Sequence, residues 1–277
     1  MDITSVARRI GAGELHYALA RFATIRRVYG FVMGLLRRPR RSWTVTLQQS
    51  LFLTALVDGA VLDLKRESVA RGFDLPPAVV EELVDYARTT PCHFWEKRFL
   101  KAEVTDGRLP DGTEVSMSEV CDPQACDAIR RLCRDPVLIA VATRQLGYRP
   151  TRIHPRLYWS YAAGLDDAVR RRQGQSIDWH YDAHAFRFCS VNFYLTDVDR
   201  ENGAHALVCG SHRAKPLPLL LRSAQAPDAA IHRHYGAERV RAIEGPAGTG
   251  FFEDTACYHR IIPPQRRDRL MLEIWYS

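Results

Sequence analysis

The chain has 277 residues, 46% of them hydrophobic and 26% charged, which excludes a wholly disordered polypeptide and fits one elaborated domain, two at most. Its seven cysteines are odd in number and form no CxxC pair, which argues against a disulfide framework or a structural zinc site and for a reducing, intracellular compartment. The net charge of +7 is concentrated: residues 1–41 hold nine arginines against Asp2 and Glu14, so the rest of the chain is neutral.

The first predicted element lies in that basic segment, residues 1–45. Leu19, Phe22, Ile25, Val28, Tyr29, Val32, Met33 and Leu36 recur at helical spacing, with Arg21, Arg26, Arg27 and Arg37 mostly between them. The longest apolar run, Val28 to Leu36, is nine residues, against the roughly 20 needed to span a bilayer. Arginines follow the apolar part rather than precede it, unlike a signal peptide. Two readings stand: a basic amphipathic helix with Trp43 beyond it on an anionic membrane surface, or a helix packed on the protein's own core. An Arg-rich, acid-poor transit peptide is a lesser third.

Residues 46–150 read as mainly helical. Asp74-Leu75-Pro76-Pro77 opens a helix over Ala78 to Arg88 with an apolar face of Val79, Val80, Leu83 and Val84. Asp135-Pro136 opens another, with Leu138, Ile139, Ala142 and Leu146 inward, closed by Gly147. Between them, Asp106-Gly107 and Asp111-Gly112 mark turns of a hairpin or surface loop. After Pro150 the period changes to short aromatic or β-branched runs: Arg152 to Tyr161, Ala185 to Leu195, Ala204 to Cys209, Gly250 to Phe252 and Arg269 to Tyr276. Helices first and strands after predict an α+β chain with a mostly β core over 151–277, a sandwich or jelly roll carrying helical additions.

The candidate chemistry starts at Trp179-His180-Tyr181-Asp182. In a strand, residues i and i+2 share a face, so the imidazole and carboxylate of His-x-Asp can bind one metal. Alone the triplet is weak. It is followed by Glu201-Asn202-Gly203, then Gly210-Ser211-His212, then Gly248-Thr249-Gly250-Phe251-Phe252-Glu253-Asp254, His259, and a last strand beginning at Arg269. This ordered set resembles the phytanoyl-CoA dioxygenase-like branch of the iron(II)/2-oxoglutarate-dependent oxygenases, well over residues 150–277, with Gly72 to Arg88 similar to that branch's entry helix.

The resemblance implies a double-stranded β-helix (a cupin-like jelly roll) with N-terminal helices packed on it. It also implies iron(II) held by His180, Asp182 and His259, with 2-oxoglutarate and O2 as co-substrates. Two imidazoles and a carboxylate occupy one octahedral face and leave three positions open for 2-oxoglutarate and dioxygen. Arg269 is the candidate for the distal carboxylate of 2-oxoglutarate, because a guanidinium fork matches a carboxylate; Arg266 and Arg267 compete from the turn. Tyr158 and Asn192 are candidates for further contacts to the co-substrate or for the pocket wall. Halogenating relatives replace the metal carboxylate with a small residue; Asp182 is retained, which favours hydroxylation of an unactivated C–H bond, or a related desaturation or ring closure, over halogenation.

Other positions stay open. His184 is an alternative ligand, and His205 and His212 suit structural hydrogen bonding better than ligation. Glu273, in phase with Arg269, either pairs with it or faces outward at a bulge. Rival functions are a metalloenzyme that needs no 2-oxoglutarate and a non-catalytic jelly-roll binding module; no nucleic-acid partner is expected. For the substrate, the basic arm favours a lipid-linked or membrane-associated acidic sugar at the cytoplasmic face of a membrane, since some bacterial relatives hydroxylate the acidic inner-core sugar of lipopolysaccharide. A small soluble metabolite, natural product or acyl-CoA is the alternative.

Overall fold

A computed structural model of the chain describes residues 15–37, 50–183, 185–220 and 224–277. Trp43, His184 and the basic residues Arg8, Arg9, Arg38, Arg40 and Arg41 lie outside these. The described strands are β1 (Val69–Arg71), β2 (Cys92–Phe94), β3 (Lys97–Phe99), β4 (Met117–Val120), β5 (Ile153–Ser160), β6 (Trp179–His180), β7 (Cys189–Tyr194), β8 (His205–Val208), β9 (Gln225–Ala226), β10 (Val240–Ile243), β11 (Gly250–Glu253), β12 (His259–Ile261) and β13 (Arg269–Tyr276). They form an eight-stranded sheet, ordered β1-β11-β7-β13-β5-β4-β2-β3, and a five-stranded sheet, ordered β10-β8-β12-β6-β9.

Strand alternation explains the layers. Along β13, Leu270, Leu272, Ile274 and Tyr276 turn to one side and join Leu157 and Trp159 of β5, Val191 and Phe193 of β7, and the helices in one core. Met271, Tyr158 and Tyr194 turn to the other side and pack against Leu207 of β8 in a second core between the sheets. The molecule is thus helices on a large sheet, and that sheet facing a smaller one, as a jelly roll with N-terminal helices requires.

The helices start and stop where local chemistry dictates. Pro136–Leu146 is capped by the Asp135 carboxylate, which accepts from the Val137 and Leu138 amides at 2.9 and 3.1 Å, and ends at Gly147 in the left-handed conformation. Pro77–Thr89 buries Val79, Val80, Leu83 and Ala87. Its expected opener Asp74 instead accepts from the Gly250 amide at 3.0 Å, tying the helix entry to β11. The Asp106-Gly107 turn closes a small hairpin, with bridges Thr105 to Arg108 and Arg108 to Glu114.

Two readings of the sequence need correction. Region 46–150 is not only helical: β1 pairs with β11 and β4 with β5, so it supplies the outer strands of the large sheet. These strands are three or four residues long, too short for their periodicity to show. In the helix Ala23–Leu36, Tyr29, Gly30 and Met33 face inward, but Val28, Val32 and Leu36 of the supposed inner face are exposed, together with Phe31 and Leu35. The glycines decide which side docks. A Cβ on Gly30 would stand 2.7 Å from the Leu146 carbonyl and one on Gly34 would stand 2.4 Å from the Gly147 carbonyl, so the helix approaches the end of Pro136–Leu146 along its two bare positions.

Candidate metal centre and co-substrate pocket

The two histidines meet through strand register. His180, at the end of β6, lies directly opposite His259, at the start of β12, and their ring centroids are 4.3 Å apart. Asp182 follows just beyond β6, its backbone amide donating to the Thr255 carbonyl at 2.9 Å. The His180 Nε2 lies 3.8 Å from one Asp182 oxygen and the His259 Nε2 lies 3.5 Å from the other. These three groups can hold a metal ion between them.

Their second nitrogens fix the orientation. His180 Nδ1 is 2.9 Å from the Asp178 carbonyl and His259 Nδ1 is 3.1 Å from the Cys257 carbonyl. A carbonyl only accepts, so each Nδ1 carries the proton and each Nε2 lone pair faces Asp182. Burial and the neighbouring His259 push the His180 imidazole down to about 4, so it is neutral at ordinary pH, as a ligand must be. For His259, burial opposes the charged form, but Glu253 and Asp182 outweigh it and raise its value.

The cavity beside these groups, of about 130 Å³, lies between the sheets and is lined by both. His205 and Ile261 come from the smaller sheet, and Arg156, Tyr158, Asn192, Met271, Glu273 and Trp275 from the larger. Tyr158 and Asn192 are therefore brought to the same cavity as His180, Asp182 and His259. Burial pushes the Tyr158 hydroxyl up to about 12, leaving it a neutral donor, 3.3 Å from the Met271 sulfur. The Asn192 amide nitrogen donates to the Ser190 hydroxyl at 3.0 Å.

Arg269 sits deeper. It has no exposed surface, and it donates from Nη1 to the Gly203 carbonyl at 2.6 Å and from Nη2 to the Ser160 hydroxyl at 3.0 Å. Its Nε has no partner, and its guanidinium lies 5.6 Å from the Tyr158 ring centroid. Gly203, at φ 90°, makes room for it: a Cβ there would stand 3.0 Å from Arg269 Cδ. The competing Arg266 and Arg267 are exposed and paired with Glu201 and Asp199.

Three polar groups were not assigned from the sequence as they stand here. Glu273 neither reaches Arg269 nor faces outward; it lines the cavity, 3.4 Å from Arg156, its direct cross-strand neighbour. Arg156 had no assigned role; it also pairs with Glu119. Glu253 is buried behind His259, 2.8 Å from His205 and 3.5 Å from His259 Nδ1. Burial would raise its carboxyl, but His205 and His259 outweigh it and hold it at about 2. The signal available was a charge amid apolar neighbours: Arg156 precedes Leu157-Tyr158-Trp159, and Glu253 ends the run Phe251-Phe252.

A jelly roll carrying two histidines and a carboxylate at one point between its sheets has the fold and donor set of the mononuclear non-haem iron enzymes. Residues 77–260 match the sequence profile of the phytanoyl-CoA dioxygenase (PhyH) family, and the chain belongs to that family. It is accordingly a non-haem iron oxygenase that uses 2-oxoglutarate and O2. Among solved structures it resembles SnoN, a non-haem α-ketoglutarate-dependent epimerase from nogalamycin biosynthesis (18% identity, 80% of this chain, 83% of that one, TM-score 0.56). It also resembles EctD from S. alaskensis with 2-oxoglutarate and 5-hydroxyectoine (18%, 87% and 85%, TM-score 0.55). A third is AviO1 from Streptomyces viridochromogenes Tue57 (17%, 80% and 94%, TM-score 0.53). No curated protein matches the sequence.

Proposed function

We propose that His180, Asp182 and His259 hold the iron(II) of this oxygenase, that Arg269 binds the distal carboxylate of 2-oxoglutarate, and that the reaction is hydroxylation of an unactivated C–H bond. The observation that carries the reading is the convergence of two Nε2 lone pairs, their tautomers set by backbone carbonyls, on one carboxylate. Iron(II) held by His180, Asp182 and His259 would supply the oxidising chemistry in which one oxygen atom of O2 converts C–H to C–OH and the other enters succinate as 2-oxoglutarate loses CO2.

The chain's own residues set the terms of that chemistry. Arg269 supports the co-substrate role because a guanidinium with no exposed surface and an unpartnered Nε is costly unless an anion completes it. Tyr158 offers a neutral hydroxyl and Asn192 an amide on the cavity wall, while Arg269 lies behind that wall, its guanidinium 5.6 Å from the Tyr158 ring centroid. Asp182 fills the position that a halide would need, which argues against halogenation and leaves hydroxylation, rather than desaturation or ring closure, as the reading to be tested. Met271, Ile261 and Trp275 give the cavity an apolar part that limits water around the reacting carbon.

For the substrate, the observation favouring a membrane-associated acidic molecule is the exposed row Val28, Phe31, Val32, Leu35 and Leu36 beside the basic N-terminal segment. No described helix is long and apolar enough to cross a membrane, so the association is peripheral. A lipid-linked acidic sugar fits both the apolar row and the charge. A small soluble metabolite is the second reading, favoured by SnoN and EctD, whose structures concern nogalamycin biosynthesis and 5-hydroxyectoine.

Anaerobic reconstitution tests the core of this. One iron(II) per chain is expected, with O2-dependent turnover of 2-oxoglutarate to succinate. His180→Ala, Asp182→Ala and His259→Ala should each lose the metal; full occupancy in all three would remove the assignment. Mass spectrometry of a coupled turnover should show an added oxygen even in excess chloride.

A further inference from the structure

On the far side of Asp182 from the iron cavity lies a cleft of about 360 Å³ that none of the roles above uses. Its cationic lining is Arg26, Arg27, Lys65, Arg144, Arg187 and Arg213, with His212 and a single acid, Asp254. These come from five places in the chain: the helix Ala23–Leu36, the helix Leu56–Glu67, the end of the helix Pro136–Leu146, and the two loops around Arg187 and Arg213. Arg26, Arg27 and Lys65 precede the residues 77–260 that match the family profile.

What distinguishes it from an ordinary solvated basic face is the lack of counter-charge. Arg144 pairs with Asp58. Among the described residues no carboxylate pairs with Arg26, Arg27, Lys65, Arg187 or Arg213. Arg26 and Arg187 spend hydrogen bonds only on carbonyls, those of Ala20, Arg21 and His212 for the first and of Gln145 for the second. The one acid is itself engaged: the Asp254 carboxylate accepts from the Gln145 amide at 2.7 Å and from the Ala256 backbone at 3.1 Å. Arg26 is lowered from its ordinary value by burial; Asp254 partly offsets this, and Arg187 and Arg27 add smaller repulsions, so one acid faces several cations. A concave wall of one sign, cut into low-dielectric protein, focuses its field and concentrates anions.

The cleft lies near the iron ligands: Arg26, Gln145, Arg187 and Asp254 also line a second cavity of about 10 Å³, roughly room for one water, that Asp182 lines too. We propose that the cleft between the N-terminal helix and the helical layer is a binding site for a phosphate group carrying two or more negative charges, which anchors the substrate beside the iron centre. Phosphate rather than a lone carboxylate suits the chemistry, because several guanidinium forks can share its oxygens. The proposal deepens the substrate reading above and rests on it for the link to turnover, but anion binding itself requires no iron.

Inorganic pyrophosphate is the probe, titrated calorimetrically into the full-length metal-free protein at low ionic strength. Saturable binding at one site per chain is expected. A variant with Arg27→Ser, Lys65→Ser and Arg213→Ser, all exposed and with no side-chain hydrogen bond or ion pair among the described residues, should weaken it at least tenfold, with unchanged melting temperature and unchanged iron binding. Competition distinguishes the phosphate's source: displacement of pyrophosphate by phosphatidylglycerol vesicles indicates a lipid headgroup, and displacement by a soluble sugar phosphate but not by vesicles indicates a free phosphoester; either supports the site. No saturable binding, or equal affinity in the triple variant, overturns the proposal while leaving the iron assignment untouched. Loss of iron binding in the His180 and Asp182 variants with pyrophosphate affinity intact separates the two from the other direction.

Discussion

Arg269 shows how far a single residue's surroundings can argue for an absent partner. Its Nη1 and Nη2 each donate once, to Gly203 and Ser160, and its Nε has no acceptor among the described residues. Breaking a buried charge-assisted pair typically costs about 2–5 kcal/mol, which at the low end is roughly 30-fold in affinity. Arg269→Ala is therefore expected to weaken 2-oxoglutarate binding by at least about 30-fold while iron affinity stays near wild type, measured by separate titrations. Arg269→Lys should recover little, because a point charge cannot reproduce the fork. If Arg156→Ala does the damage instead, the co-substrate lies further along β13, beside Glu273. At this scale the sequence is legible where chemistry fixes residue type at short spacing, as in His180-x-Asp182. It is silent where a partner is chosen by register: Glu273 meets Arg156 because β13 and β5 set them opposite each other, and no local pattern announces that.

Among the elements, the helix Ala23–Leu36 carries the clearest consequence. Its period is plain in the sequence, but an amphipathic helix has two candidate inner faces when apolar residues cover more than half of it. Gly30 and Gly34 break the tie, since only bare positions fit against Leu146 and Gly147. The opposite row is left in water, with Phe31 69% and Leu36 75% exposed. Full burial of such side chains is worth about 1.5–3 kcal/mol each, and each basic residue near an anionic leaflet adds on the order of 1 kcal/mol. Sedimentation with anionic vesicles is expected to pull the protein down at low salt, less at high salt. Phe31→Ser with Leu35→Ser should abolish binding without lowering the melting temperature, since neither side chain is packed. A protein that stays in the supernatant throughout returns the substrate reading to a soluble metabolite. The strands β1 to β4 were missed for an opposite reason: each is completed by a partner strand far along the chain, so nothing within three or four residues marks it.

For the whole molecule, the jelly roll brings together groups that the chain keeps far apart, and the smaller sheet does this with little backbone to spare. Strand β6 has two residues, one ladder pairing to β12 and two to β9. His180 and His259 face each other there, although the chain between them runs from 180 to 259. An ion shared by the two is thus a removable cross-link across a long loop. Closing a loop of that length costs a flexible chain on the order of 4 kcal/mol of entropy, so a tightly bound ion at this position contributes stability well beyond its few ligand bonds. Iron(II) is expected to raise the melting temperature and to slow amide hydrogen exchange most at Trp179 to Ala183 and His259 to Ile261. Protection spread evenly over both sheets, or none, would contradict it. Strand β6 also connects β12 to β9, so an ion held by His180 and His259, as proposed, would pin the outer edge of the smaller sheet to its centre. Iron supply is then expected to set how long the protein survives as well as how fast it works, because among the described residues β6 joins its neighbours by one ladder pairing to β12 and two to β9.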